Sequence, residues 1–356
     1  MVADRDQPLE KARALAREAL AGWRGADPDQ ATEACDHALA LLLPVGPSDA
    51  LADVLRWKGS IMRDRGNHSA AGDLYAQSLA VADSIGYRGG RAHALNCLGT
   101  IAQIRGDLGA AERWYGEAAR LAHRLADRKL SGLVQQNLGV VAETQARPDE
   151  AVAHFRLALA AFELEEQNDA VVLVLNNLGI LYTREGAYYR AGEMLDRALR
   201  LAQTMKDLVS EAAVQENRAT LLLASGNLQE GEAAALRAYT IAEQRHDNTR
   251  RAAALRLLSR VARVRDKRTR DCVLLLERAL ILCELGEDAE LRAEILADLG
   301  DAHYECGDRG KAREAWRRAL GLARIAGFTG MIASLQSKLR PSNPDRATSA
   351  SEATAL

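Results

Sequence analysis

The chain has 356 residues, a formal net charge of −2 and 48% hydrophobic side chains. Because 47 basic residues nearly balance 49 acidic ones, its overall charge gives no general attraction to nucleic acid or to an acidic membrane. Its five cysteines form no CxxC pair, and no apolar run approaches the ~18 residues of a membrane-spanning helix. The N-terminus has no signal-peptide pattern, and arginine greatly outnumbers lysine. We therefore expect a cytoplasmic protein with reduced thiols, from a bacterium of high GC content.

From residue 51 onward, the sequence repeats with a period of forty residues. A typical row carries a Leu-Gly pair, then a turn glycine, and then an alanine, a large apolar residue and an Ala-Leu pair. The Leu-Gly column contains Leu98-Gly99, Leu138-Gly139, Leu178-Gly179 and Leu299-Gly300. The turn column contains Gly66, Gly106, Ala146, Gly186, Gly226 and Gly307. The large apolar column contains Tyr75, Tyr115, Phe155, Leu195 and Trp316. Such a period indicates stacked structural repeats.

We predict an N-terminal extension over 1–10, a repeat array over 11–331, a closing helix over 332–339 and a disordered tail over 340–356. The array contains eight units, the first of which is degenerate and the seventh of which has one extra residue. The predicted units are 11–50, 51–90, 91–130, 131–170, 171–210, 211–250, 251–291 and 292–331.

Each row has the features of two helices joined by a tight turn. Apolar residues such as Val171, Val174 and Leu178 have helical spacing. The turn glycine can end the first helix in the left-handed conformation, and the Asn or Asp that usually follows can cap the second helix. Neither helix can bury its apolar face alone, so neighbouring rows must stack.

This pattern resembles the tetratricopeptide repeat family across residues 11–331. Its period is longer than the family's usual ~34 residues, and is similar to the long-helix type of kinesin light chains, spindle-orientation adaptors and bacterial peptide-sensing and regulator proteins. The resemblance implies an all-α fold, a right-handed α-α superhelix of about eight helical hairpins plus a closing helix. Two rows depart from the pattern, with Arg218-Ala219 and Leu258-Ser259 in place of Leu-Gly, and we expect looser or bent packing there.

The resemblance also implies that ligands contact row positions 3, 6, 7, 10, 13 and 14 of the first helices, which line the concave surface. Position 7 contains Asn137, Asn177 and Asn217, and position 6 contains Asn96, Gln136, Asn176 and Glu216. Amide side chains both donate and accept hydrogen bonds, so such a ladder could hold the backbone of an extended peptide. Alternatively, these amides bond to neighbouring backbone or to side chains of the adjacent row.

Two further features fall on these positions. Arg256, Arg260 and Arg263 could clamp an acidic peptide or a terminal carboxylate. Alternatively, they pair laterally with the acidic residues of the next row, which include Glu294 and Asp298. Trp57, at position 7, could anchor a ligand or pack on the degenerate first unit.

The sequence contains no GxxxxGK[ST], HExxH or GxSxG motif, so we predict neither an enzyme nor a cofactor or metal site. The Arg-rich stretch 245–270 could contact phosphates, but no DNA-reading helix or stacking platform accompanies it, so nucleic acid is not favoured. We predict an adaptor or scaffold that binds a peptide segment of a partner protein in its concave groove. The alternative is a stand-alone bacterial peptide-sensing regulator. The oligomeric state stays open.

Overall fold

The computed structural model describes residues 28–265, 269–284 and 288–340, together with the single residues 10 and 14. The predicted N-terminal extension, the opening helix of the first unit and the predicted disordered tail lie almost entirely outside the described residues. Most of the extra segment of the seventh unit, 266–268, also lies outside them.

The described residues form α-helices and contain no strand. In chain order, these helices are α1 Pro28–Leu42, α2 Asp49–Asp64, α3 His68–Ser84, α4 Arg88–Ile104, α5 Leu108–Arg124, α6 Arg128–Thr144, α7 Pro148–Leu164, α8 Asn168–Arg184, α9 Tyr188–Met205, α10 Leu208–Ala224, α11 Leu228–Gln244, α12 Asn248–Arg265, α13 Thr269–Glu284, α14 Ala289–Glu305, α15 Arg309–Ala326 and α16 Thr329–Leu339. From α2 onward, the even-numbered helices up to α14 are the first helices of hairpins, and the odd-numbered helices are the second. None of the described helices has both the length and the apolar character that crossing a bilayer requires.

A left-handed residue ends the first helix of the hairpins, as the turn column predicts. Gly186 has φ +73°, and Ala146 reaches φ +56° without a glycine. The turns between hairpins use the same conformation, which the sequence did not reveal because most of them lack glycine. These inter-hairpin residues are Gly86, Ala126, Glu166, Lys206, His246 and Gly327. Left-handed residues therefore occur both in the turns within hairpins and in the turns between hairpins.

Acidic and amide side chains cap many second helices, as predicted. The Asp107 carboxylate accepts a hydrogen bond from the Ala110 amide at 2.8 Å, and Asn67 accepts one from Ala70 at 3.1 Å. Asn227 is an exception, because it makes no capping bond and its amide group instead donates to Ser225 at 3.4 Å. Side chains local in sequence therefore cap α3, α5 and α15, whereas α7, α9 and α11 begin without a side-chain capping bond.

The Leu-Gly column lets the two helices of a hairpin approach each other around a large side chain. A Cβ added at Gly99 would lie 2.6 Å from the ring of Tyr115, and one at Gly139 would lie 2.6 Å from the ring of Phe155. Both rings are fully buried. Glycine in the first helix and the ring in the second are therefore two halves of one contact.

In the two irregular rows, the residues of the glycine column and of the large apolar column are buried, and the looser or bent packing expected there stays a prediction. Ala219 stands in the glycine column, and the large residue of the second helix is replaced there by Ala235; both are fully buried in one apolar cluster. In the following row, Ser259 is 1% exposed and Leu276 is fully buried. In the row at Ala219, a larger residue in the glycine column is therefore matched by a smaller one on the second helix.

The chain divides into two compact units, residues 1–181 and residues 182–356. In the first unit, the hairpins place their first helices side by side, so that α2 contacts α4 and α4 contacts α6. In the second unit, α10 contacts α12 in the same way. Side chains at equivalent positions of successive first helices can therefore meet within each unit.

Candidate functional site

In the first unit, two of the predicted ligand-contacting amides bond to each other. The Asn137 side-chain amide donates to the Asn96 side-chain oxygen at 3.0 Å, joining α6 to α4. Both residues are half-buried. This pair follows the alternative in which amides of adjacent rows bond to each other. Each of the two amides still has one hydrogen-bonding group that this bond does not use. The Asn96 amino group and the Asn137 oxygen have no partner among the described residues, and they remain able to meet a peptide backbone.

The remaining amides of the first unit differ in their access to solvent. Asn176 is 8% exposed, so little of it is available to a ligand, whereas Asn177 beside it is half-buried. The Gln136 side-chain oxygen is buried and accepts no hydrogen bond within the described part of the chain. Asn217, the last predicted member of the ladder, is half-buried in the second unit. The ladder through both units stays a prediction.

Trp57 packs against the apolar cluster that α1 and α2 form, which includes Ala31, Cys35 and Val54. The guanidinium of Arg56 lies 5.6 Å from the centroid of its ring. This is the arrangement expected if Trp57 packs on the first repeat, predicted over residues 11–50. The ring of Trp57 is therefore only partly available to anchor a ligand.

In the second unit, Arg256 pairs with the next row. Its Nε donates to Asp298 at 2.7 Å and its Nη1 donates to Glu294 at 2.6 Å, linking α12 to α14. Arg263 lies 3.9 Å from Glu305, at the limit of an ion pair. Two of the three predicted arginines therefore have the lateral partners that the sequence left as an alternative.

Arg260 lies between these two arginines, one helical turn from each, and behaves differently. It forms no ion pair or side-chain hydrogen bond with the described residues, although it is half-buried. Burial, with Arg256 as the second cause, lowers the pKa of its guanidinium from the usual value. A cation that is partly desolvated and lacks a direct counter-ion is a place where an added anion is stabilised.

An acidic cavity of about 560 Å³ lies beside this arginine strip. It shares Glu294 with the Arg256 pair, and Glu216, Asp247 and Arg250 also line it. Burial raises the pKa of Glu216 to about 7, even though Arg250 lies 3.2 Å away and opposes that rise. The sequence places Glu216 at ligand position 6, but nothing in the pattern reveals its burial, which depends on the neighbouring α12.

The described residues contain no group of three or more His, Cys, Asp or Glu side chains arranged to hold a metal ion. The polar side chains that α4, α6, α10 and α12 bring to the predicted ligand positions include amides, arginines and carboxylates. Such groups bind polar and charged segments through hydrogen bonds and ion pairs.

Comparison with known proteins identifies the repeat. Residues 90–164 match the family model described as "Tetratricopeptide repeat". A Drosophila melanogaster protein named "Tetratricopeptide repeat protein 19 homolog, mitochondrial" is 27% identical over 166 residues, which are 44% of this chain and 45% of that protein. The match thus spans less than half of the length of that relative.

Solved structures share the fold at low sequence identity. The quorum sensor NprR from B. thuringiensis, in its apo form, superposes with a TM-score of 0.70 at 14% identity, covering 87% of each chain. A signal transduction ATPase with a tetratricopeptide repeat sensor from Pyrococcus horikoshii gives 0.64 at 15% identity, covering 87% of this chain and 46% of that one. BtubC (BKLC) from P. vanneervenii gives 0.53 at 20% identity, covering 66% and 93%. The predicted fold class, an all-α solenoid of tetratricopeptide-type hairpins, is confirmed.

Proposed function

We propose that this chain, a tetratricopeptide repeat protein, is a protein-interaction adaptor that holds a polar segment of a partner protein along the first helices of its hairpins. In the second unit, the segment would lie across α10, α12 and α14, with a carboxylate against Arg260. In the first unit, the paired amides of Asn96 and Asn137 would hold segment backbone. The role is binding, without catalysis.

The observation that carries this proposal is the unmatched charge of Arg260. Its neighbour Arg256 is held by Glu294 and Asp298, whereas Arg260 has no such bond with the described residues. A carboxylate that reached Arg260 would gain a charge-assisted, bidentate contact without breaking an existing one. Since the site is half-buried, that contact would be screened less by salt than a surface ion pair.

The two helices that present the amide pair support the same kind of binding in the first unit. A peptide backbone offers an N–H donor and a carbonyl acceptor at each residue, which are the complements of the free Asn137 oxygen and the free Asn96 amino group. Contacts of this type select extended backbone more than they select a particular sequence.

The experiment compares the intact chain with two variants that each remove one positive charge. R260Q removes the unpaired arginine, whereas R270Q removes an exposed arginine on α13, the second helix of the same hairpin. Partners are captured on each immobilised protein from the lysate of the source organism and identified by mass spectrometry. A synthetic peptide from each captured partner is then titrated by calorimetry against all three proteins.

We expect R260Q to weaken binding of an acidic partner peptide by at least about tenfold, which corresponds to ~1.4 kcal/mol, and R270Q to leave it unchanged. A partner peptide that binds R260Q as tightly as the unsubstituted protein would contradict the role of Arg260. If N96A with N137A then weakened binding of that peptide, the amides of the first unit would be the binding site instead.

A second candidate is a peptide-sensing regulator. It is favoured by the extent of the fold shared with the quorum sensor NprR, which covers 87% of each chain. The size of the captured partner distinguishes the two functions, because a sensor would retain a short free peptide and an adaptor would retain a folded protein. A change in hydrodynamic radius on binding the short peptide would further support the sensor.

We also propose that the protein acts in a reducing compartment such as the cytoplasm. All five cysteines are free, and burial raises the pKa of Cys35 and of Cys283 to about 11. These two thiols therefore stay protonated and unreactive at neutral pH.

A further inference from the structure

A second cavity, of about 350 Å³, lies far along the second unit, where α14, α15 and the closing helix α16 meet. Tyr304 and Trp316 contribute aromatic rings to its wall, and Arg309, Arg313 and Arg340 contribute guanidinium groups. None of these residues belongs to the arginine strip or to the amide pair. This cavity therefore calls for an explanation separate from the proposed adaptor function.

The single carboxylate in the wall, Asp301, is already neutralised within the protein. It accepts hydrogen bonds from the Lys338 ammonium at 2.6 Å and from the Trp316 indole N–H at 3.0 Å. The ammonium also lies 5.9 Å from the centroid of the indole ring. Asp301 thus orients the Lys338 and Trp316 side chains, and it leaves the arginines without a counter-charge.

Arg309 and Arg313 lie one turn apart on α15 and point into the same cavity wall. Neither side chain forms an ion pair or hydrogen bond with any part of the chain that the structure describes, and the same holds for Arg340. Residues four apart on a helix are neighbours on one face, at a separation of ~6 Å. Two guanidinium forks at that spacing can bind several oxygens of one phosphate, whereas a lone carboxylate supplies only two.

The aromatic wall offers a flat surface for a planar group. Tyr304 is 54% exposed, and its ring centroid is 5.7 Å from that of Trp316. Because Trp316 is held in the core at 5% exposure, the neighbouring Tyr304 ring has a fixed support. Planar rings stack on such aromatic side chains regardless of their exact hydrogen-bonding pattern.

We propose that this cavity binds a small phosphorylated ligand with a planar ring, of the nucleoside phosphate class. The phosphate is held by Arg309 and Arg313, with Arg340 nearby, and the ring stacks on Tyr304. The cavity volume falls in the usual range of small-molecule sites, ~300–1,000 Å³. The last repeat and its closing helix thereby gain a ligand site distinct from the partner-binding face.

The test uses the full chain and AMP as the probe, titrated by calorimetry at about 0.15 M salt, with inorganic phosphate, adenosine and a hexaglutamate peptide titrated separately. The variant R309Q/R313Q removes the two guanidinium groups proposed to hold the phosphate, and leaves Arg340 in place. The matched control, R317Q/R318Q, removes the same charge from exposed positions of the same helix outside the cavity. A third variant, Y304L, removes the stacking ring. Circular dichroism of each variant verifies that it is folded.

We expect AMP to bind once per chain, at least about tenfold more weakly to R309Q/R313Q, and equally to R317Q/R318Q. Y304L should weaken AMP severalfold while leaving inorganic phosphate unchanged. The proposal is overturned if millimolar AMP does not bind, if both double variants lose affinity equally, or if phosphate alone or hexaglutamate binds more tightly than AMP. Because Arg260 is intact in all of these variants, failure here leaves the adaptor proposal standing.

Discussion

Gly99 tests whether the glycine column is a packing requirement. In an exposed helix, replacing glycine with alanine stabilises by about 0.5–1 kcal/mol, because it reduces the freedom of the unfolded chain. At Gly99, however, the new Cβ would lie 2.6 Å from two ring carbons of Tyr115. That ring is fully buried, and its hydroxyl is bonded to Gln103 at 2.9 Å, so it cannot turn aside without losing this bond. We expect G99A to lower the free energy of unfolding by about 1–3 kcal/mol.

The assay is urea-induced unfolding followed by far-UV circular dichroism, with G116A as the control. Gly116 lies on α5 with only an ordinary contact of 3.9 Å to Arg120, so alanine there should stabilise. The same G99A change is also made in a Y115A background. With the ring removed, the steric conflict disappears and only the helix preference remains, so G99A should become stabilising in that background.

The sign of the change in unfolding free energy shows whether the contact with Tyr115 is the reason for the glycine at position 99. If G99A raises the unfolding midpoint as G116A does, the ring of Tyr115 does not require a glycine opposite it. The proposed packing of the hairpin around that ring would then be refuted. If G99A destabilises equally in both backgrounds, the cost lies in the backbone and not in the contact with Tyr115.

Three other predictions concern the charged and amide residues. Burial raises the pKa of Glu216 above its unfolded value of 4.5 to about 7, so the unfolded state releases its proton first and stability falls as pH rises between these values. E216Q should remove about 2–3 kcal/mol of that decline in urea titrations at pH 4.5 and pH 7.5, and an unchanged pH profile would refute the assignment. R256Q should cost about 1–3 kcal/mol, because it strands two carboxylates, whereas R260Q should change the melting temperature little; equal losses would mean that Arg260 has a partner. N137A should lower stability by less than about 1 kcal/mol, since its one bond to Asn96 is offset by the helix preference of alanine, and a drop of many degrees in melting temperature would make the amide pair structural.

Local signals in the sequence were sufficient to predict the hairpins. The helical spacing, the turn glycines and the capping residues all act within a few residues, so their physical effect depends little on the rest of the molecule. The sequence therefore predicts a left-handed helix end at Gly186, and this residue has φ +73°. The turns at Ala126 and Lys206 were missed because residues with a Cβ adopt this conformation only when the packed helices on both sides require it.

The matching of residue sizes between the two helices of a hairpin could also be recognised only from the tertiary structure. In the irregular row at Ala219, the sequence shows the loss of a glycine, but only the packed hairpin shows that Ala235 faces it in place of a ring. The cost of a side chain depends on the volume opposite to it, and that volume belongs to another helix.

The candidate site likewise has features that follow from the sequence and features that only the tertiary structure shows. The period places equivalent residues on the same face of every first helix, since helical spacing sets the face of each residue, and that this face binds a ligand stays a prediction. It could not determine which of three arginines would remain unpaired, or that Glu216 would be buried, because both depend on side chains of adjacent rows. Ion pairs and desolvation act through space over a few ångströms, between residues about forty positions apart in the chain. Only the stacking of the rows brings those residues together, and so only the tertiary structure decided them.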